Sequence, residues 1–143
     1  MMKLKDKGPI VKPPVLKGVA EKVSVEIQSW PEVISATHWT IGDSTKVNGA
    51  DFYVGESELG HIHLDGELHL YLTKDLRQKL ILADLAEPFR WGAEWVQFQI
   101  TDELSRQQAE WLFRLGYDRL QGATDDELNL RISEIQNMMD SIS

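Results

Sequence analysis

At 143 residues, 42% hydrophobic and 27% charged, the chain has the length and composition of one globular domain that buries its core without covalent staples. It has no cysteine, so disulfides and thiolate metal sites are excluded, and a reducing compartment, read here as the cytoplasm, is the simpler expectation. Five lysines against Asp6 put residues 1–17 at +4, so with −8 overall the remainder carries −12; so acidic a body repels phosphate backbones and speaks against nucleic acid.

Residues 1–16 contain Pro9, Pro13 and Pro14 and show no period, which reads as an irregular basic leader. Its lysines are those of a solvated terminus, with an anionic surface as the other reading. No apolar stretch follows them, so no signal peptide is expected. The longest apolar run, Leu80-Ile81-Leu82-Ala83, is too short to cross a bilayer, and no membrane partner is expected.

From Lys17 to Trp30, Val19, Val23, Ile27 and Trp30 mark one face of a helix that Pro31 ends. Glu32 to Ile41 is rich in β-formers. A turn-rich stretch follows from Gly42 to Ala50, and Phe52-Tyr53-Val54 restarts a strand. Two alternating runs then flank Asp65-Gly66, a strong hairpin signal. Residues 32–72 therefore read as three or four antiparallel strands.

Thr73 caps a predicted helix from Lys74 to about Ala83, and Glu94 to Ile100 alternates as a further strand. Thr101 caps the next helix, roughly Asp102 to Leu120, whose Leu104, Trp111, Leu112, Leu115 and Leu120 face inward. Gly122 breaks it, and Thr124 with Glu127 forms a capping box for a last helix. There Leu128, Ile132, Ile135, Met139 and Ile142 form a narrow seam. Such a seam suits either docking on the chain's own domain or a homodimer.

The expected fold is α+β: an antiparallel sheet of about four or five strands, an N-terminal helix, a helix after the central hairpin, and two C-terminal helices. Three parts are expected: the leader at 1–16, the α+β domain at 17–121 and the amphipathic helix at 122–143.

Three of the four histidines lie in the hairpin. A two-residue turn at Asp65-Gly66 pairs His63 with Leu68 and His61 with Leu70. That register puts His61 and His63 on a face with Leu59, Leu68, Leu70 and Leu72, and sends Ile62, Leu64, His69 and Tyr71 the other way. Imidazoles beside an apolar face stay neutral and suit proton abstraction near pH 7. The plainer reading makes them partly buried, satisfied polar residues.

His-x-His also offers two nitrogens to one metal ion. A third ligand is missing in this register: His69 faces away and Glu58 has the wrong parity, unless the turn is longer or a bulge intervenes. No metal and no cofactor is therefore assigned. The tryptophans 30, 39, 91, 95 and 111 read first as core or core-edge residues and second as stacking surfaces for a ligand. No phosphate loop, dinucleotide fingerprint or serine elbow is present.

Phe52, Gly55, Glu58, Gly60, His61, His63 and Gly66, followed by Leu80, Ala86-Glu87-Pro88 and Trp95, closely resemble the luciferase-like domain family over about residues 18–121. That family comprises small bacterial proteins and includes the fungal luciferases. Two departures stand out. Glu87-Pro88-Phe89 replaces a frequent Glu-Pro-His, and Gly92-Ala93-Glu94-Trp95 replaces a Ser-Gly-Trp approach to the last strand. No counterpart of the membrane-anchoring N-terminal segment of the fungal enzymes is expected.

The resemblance implies a cofactor-independent oxygenase acting on a planar, enolisable small molecule. His61 and His63 would be catalytic, with Glu58, Trp39, Tyr71 and Trp95 as substrate-binding candidates. The missing histidine leaves open a non-catalytic, dimeric binding module, with a His-x-His metal site as a third reading. Element order alone is also similar to YjbR/MmcQ-like domains.

Overall fold

A computed structural model of the chain describes residues 3–142. After a short 3-10 turn at Leu4–Asp6 come α1 (Val19–Gln28), β1 (Val33–Thr40), β2 (Asp43–Val54), β3 (Ser57–His63) and β4 (Glu67–Tyr71). Then follow α2 (Lys74–Leu82), β5 (Glu87–Pro88), β6 (Trp95–Gln99), α3 (Glu103–Leu120) and α4 (Asp125–Ile142). The strands form one antiparallel sheet in the order β1-β2-β3-β4-β6-β5. The architecture is the α+β fold expected, with six strands where four or five were read. The extra one is β5, a two-residue edge strand too short to leave a pattern.

One sheet face carries Ala50, Phe52, Ile62, Leu68, Leu70 and Val96, all fully buried. Against it lie Val23 and Ile27 of α1 and Leu112, Phe113 and Leu115 of α3. α3 can come close because Gly116 has no side chain: a Cβ there would meet Leu59 and Leu70 at 2.9 and 3.0 Å. Tyr117 then donates its hydroxyl to the Pro31 carbonyl at 2.8 Å, tying α3 to the end of α1.

Two helix starts differ slightly from expectation. Thr73 does cap α2, accepting from the Leu76 N–H at 3.3 Å. The cap of α3 is Asp102 rather than Thr101, because its carboxylate takes the Ser105 N–H while the Ser105 hydroxyl accepts from Asp102. At α4 the Thr124 hydroxyl accepts from the Glu127 N–H at 3.2 Å. The reciprocal bond from Glu127 is absent among the described residues.

Of the stretch 42–50, read as turn-rich, Gly42 does turn the chain, but Asp43 to Ala50 is instead the first part of β2. Irregular pairing at His38, Trp39 and Thr40 lets the strand bend where its Gly and Asn suggested loops. Leader residues lie along the outer edge of β1. The Val11 carbonyl accepts from the Thr37 N–H, Lys12 from the Thr37 hydroxyl and Pro9 from the Trp39 indole. In α4, Leu128 and Ile132 are buried in the chain's own core and Ile135 packs on it, while Met139 and Ile142 are 46% and 82% exposed. No helix among the described residues is long and apolar enough to cross a membrane.

Candidate functional site

The hairpin register differs from expectation by one residue, and that difference makes the site. His61 pairs with His69 and Ile62 with Leu68. The loop is Leu64-Asp65-Gly66, three residues rather than two. Gly66 stands at φ +86°, its N–H donates to the His63 carbonyl at 2.9 Å, and the Asp65 carboxylate accepts from the Glu67 N–H. A left-handed glycine closing a three-residue loop is a common hairpin solution. Because side chains alternate, one residue of slip turns a whole strand over.

His61 and His63 therefore do not lie beside Leu59, Leu68, Leu70 and Leu72. They share the opposite sheet face with His69 and Tyr71, while Ile62 joins the leucines in the core. A second irregularity acts on Glu58. Phe52 pairs with Gly60 but Tyr53 pairs with Glu58, so Leu59 is an extra residue and Glu58 rotates onto the histidine face. The longer turn and the bulge that sequence reasoning needed for a third ligand are both present.

The same parity brings in residues the sequence did not mark. Asp51 lies opposite His61, and His38 on β1 lies opposite Gly49, which pairs with His63. All four histidines thus meet on one face with Asp51, Glu58 and Glu67. The rings of His38 and His61 stack in parallel at 4.0 Å, and His63 stands edge-on to both.

A hydrogen-bonded chain orders the rings. Nε2–H of His69 donates to the Glu67 carboxylate at 2.8 Å, which leaves Nδ1 of a neutral ring as an acceptor. That atom lies 2.9 Å from Nε2 of His61 and 3.2 Å from Nε2 of His63. Taken as hydrogen bonds that share this one lone pair, the two contacts assign the neighbours' protons to Nε2 and a lone pair to each Nδ1. Nδ1 of His61 points toward Oδ1 of Asp51, 3.8 Å away; Nδ1 of His38 lies 2.7 Å from that same oxygen. The closer contact has the length of a hydrogen bond but not its alignment, and all three atoms are buried without a hydrogen-bond partner. The Tyr53 hydroxyl lies beside the Asp51 carboxylate, near enough to interact with it but without full hydrogen-bond alignment.

Burial is the first cause holding the His61 imidazole well below its usual range, and the neighbouring His38, His69 and His63 add to it. His63, half-buried, is lowered to about 4 by burial first and then by His69 and His38, against the pull of Asp65 and Glu67. Burial raises the Glu58 carboxyl despite the Lys7 ammonium in direct contact with it. Burial, with Asp51 and Glu58 adding to it, keeps the Tyr53 phenol protonated.

Aromatic residues wall the face. Trp95 stands 5.6 Å from His61, and Phe89 packs 4.4 Å from His69. Tyr71 lies edge-on to Trp95 and gives its hydroxyl to Glu94, at the far side of that wall. Trp39 lies at the opposite end. With His38, Lys7 and residues 40–44 it lines an open cleft of about 450 Å³. Of the residues named from sequence, His61, His63 and Glu58 come together, Trp95 touches them, and Trp39 and Tyr71 flank them on either side. His38, Asp51, His69 and Glu67 were missed, since only strand register reveals that they converge.

No curated protein and no solved structure matches the chain, so its likeness in element order to YjbR/MmcQ-like domains has no support from that side. Residues 56–116, from the start of β3 into α3, match the family model described as Luciferase domain, which supports placing the chain in the luciferase-like domain family.

Proposed function

We propose that the histidine face is the catalytic centre of an oxygenase that removes a proton from a planar, enolisable organic acid or pyrone. The observation that carries this reading is the chain Glu67–His69–His63, which aligns one carboxylate and one imidazole behind the least buried of the four histidines. Nδ1 of His63 makes no hydrogen bond among the described residues and takes the substrate proton. The C–H electron pair stays on the substrate as an enolate, and dioxygen is the oxidant that accepts electrons from it. His61 holds His69 from the inner side. The luciferase-like resemblance supports the reaction class, and the aromatic wall of Trp95 and Phe89 suits a flat substrate.

The test is oxygen uptake with a panel of pyrones and β-keto acids, comparing the natural chain with a His61→Gln, His63→Gln double variant. Turnover is expected to fall by at least about two orders of magnitude while far-UV dichroism is unchanged. Turnover retained by a folded double variant would end this reading.

A second reading, a homodimer through the end of α4, rests on Met139 and Ile142 standing exposed beyond the core-bound Leu128 and Ile132. Sedimentation of the full chain and of a chain ending at Asn137 is the check. The reading expects a dimer only for the full chain, and a monomer in both cases removes it.

A further inference from the structure

We propose that His38, Asp51 and His61 form a binding site for one first-row divalent transition metal ion, a cofactor independent of the base assigned to His63. Three buried atoms carry the inference: Nδ1 of His38, Oδ1 of Asp51 and Nδ1 of His61, none with a hydrogen-bond partner. Asp51 is 1% exposed and the two histidines 8% each, so water does not reach them as it reaches a surface cluster. Buried polar atoms left in this state are rare in folded proteins.

Because His69 accepts from Nε2–H of His61, the inner nitrogen of His61 presents a lone pair toward a carboxylate oxygen 3.8 Å away. Two electron-rich atoms facing one another in a dry interior repel, unless a cation lies between them. An outer carboxylate orienting an imidazole whose other nitrogen points inward is also how metal-binding histidines are held. Here Glu67, through His69, does that for His61.

The spacing fits an ion. Bonds of about 2.1 Å at a tetrahedral or octahedral metal separate neighbouring donor atoms by about 3.0–3.4 Å. The separations of 2.7 and 3.8 Å from Asp51 Oδ1 lie on either side of that range, and the rings of His38 and His61 would turn out of their parallel stack to aim both lone pairs at one ion. Two further donors stand near. Donor atoms of Glu58 and Asp51 come within 4.8 Å of one on His61, and His63 stands in the same relation to His38 and His61. His61 belongs to both groups, the 2.7 Å contact of His38 with Asp51 joins them, and Glu58 is already engaged by Lys7, so His38, Asp51 and His61 are the three donors assigned here.

Two imidazoles and one carboxylate, with no thiolate in the chain, select iron(II), cobalt(II), manganese(II) or zinc over calcium or magnesium. The remaining coordination positions would be open to a ligand entering from the cleft beside His38.

The experiment uses the full chain stripped with chelator and titrated with cobalt(II), read by its visible ligand-field absorption, then displaced with zinc(II). The expected result is saturation at one equivalent per chain, and an affinity weakened about 100-fold or more in Asp51→Asn. His38→Gln is the second variant, at a position nearer the cleft, should Asp51→Asn fail to fold. Absence of saturable binding, or a folded variant that binds cobalt as the natural chain does, overturns the proposal. Turnover is not the readout, so failure here leaves the His63 reading standing, and failure of that reading leaves this one.

Discussion

Lys7→Met is expected to cost about 3–5 kcal/mol, as removing one partner of a buried ion pair does. Glu58 is 2% exposed, and its side chain faces the Lys7 ammonium from the floor of the histidine face. Without Lys7 the carboxylate would keep the full desolvation penalty and lose the attraction that offsets it. The same change weakens the leader's hold. Lys7 adjoins Gly8, whose Cβ position lies 3.5 Å from the Trp39 ring, and Pro9, whose carbonyl takes the Trp39 indole N–H. Urea unfolding of the single variants and of Lys7→Met with Glu58→Gln measures the coupling. The double variant is expected to regain most of the loss, because a neutral amide replaces a buried charge. A loss below about 1 kcal/mol in Lys7→Met would mean the pair behaves as an ordinary surface contact.

That pair also shows where the sequence stops being readable. Lys7 was one of five lysines in a segment with three prolines, and nothing in its spacing marks it as the one that crosses to Glu58. Elements with a strong period were legible: Val19, Val23, Ile27 and Trp30 give α1, and the alternation from Glu94 to Ile100 gives β6. The weakly patterned pieces were not. Asp43 to Ala50 has the residues of a turn but is drawn into β2 by pairing with β1 on one side and β3 on the other.

The hairpin is the instructive case. Asp65-Gly66 suits both a two-residue loop and the end of a three-residue loop, since each places glycine at positive φ. Leu64 looked like a strand residue, yet it is 45% exposed in the loop. The deciding signal was present in the apolar pattern. A three-residue loop puts Ile62 on one face with Leu68 and Leu70, whereas the two-residue loop pairs those leucines with imidazoles. Testing each register for apolar side chains on a common face would have selected the right one and assembled His61, His63 and His69. The bulge at Leu59 left no such trace, and Glu58 could not have been placed from spacing alone.

His69→Leu is where these readings meet, and it is expected to be damaging in three measurements of different kind. Nδ1 of His69 is the acceptor shared by His61 and His63, and its Nε2–H is the donor to Glu67. Leucine nearly fills the space but leaves a buried N–H of His61 without a partner, at about 1–3 kcal/mol for such a group. Urea unfolding reads that loss, which a purely structural role shares. The second measurement separates the roles. If His63 is the base, losing the ring that aligns it lowers kcat about 10–100-fold with KM little changed, because His69 itself does not touch substrate. Equal kcat in a folded variant would remove His69 as a positioning residue. The third follows from the inner tautomer: once His69 no longer accepts from Nε2, His61 is free to carry its proton on Nδ1, facing Asp51. Cobalt affinity should then fall about 10–100-fold, as it does when an outer partner of a metal-bound imidazole is lost. Because His69 supplies no metal donor atom, unchanged cobalt binding would mean that the Glu67–His69 chain does not orient His61.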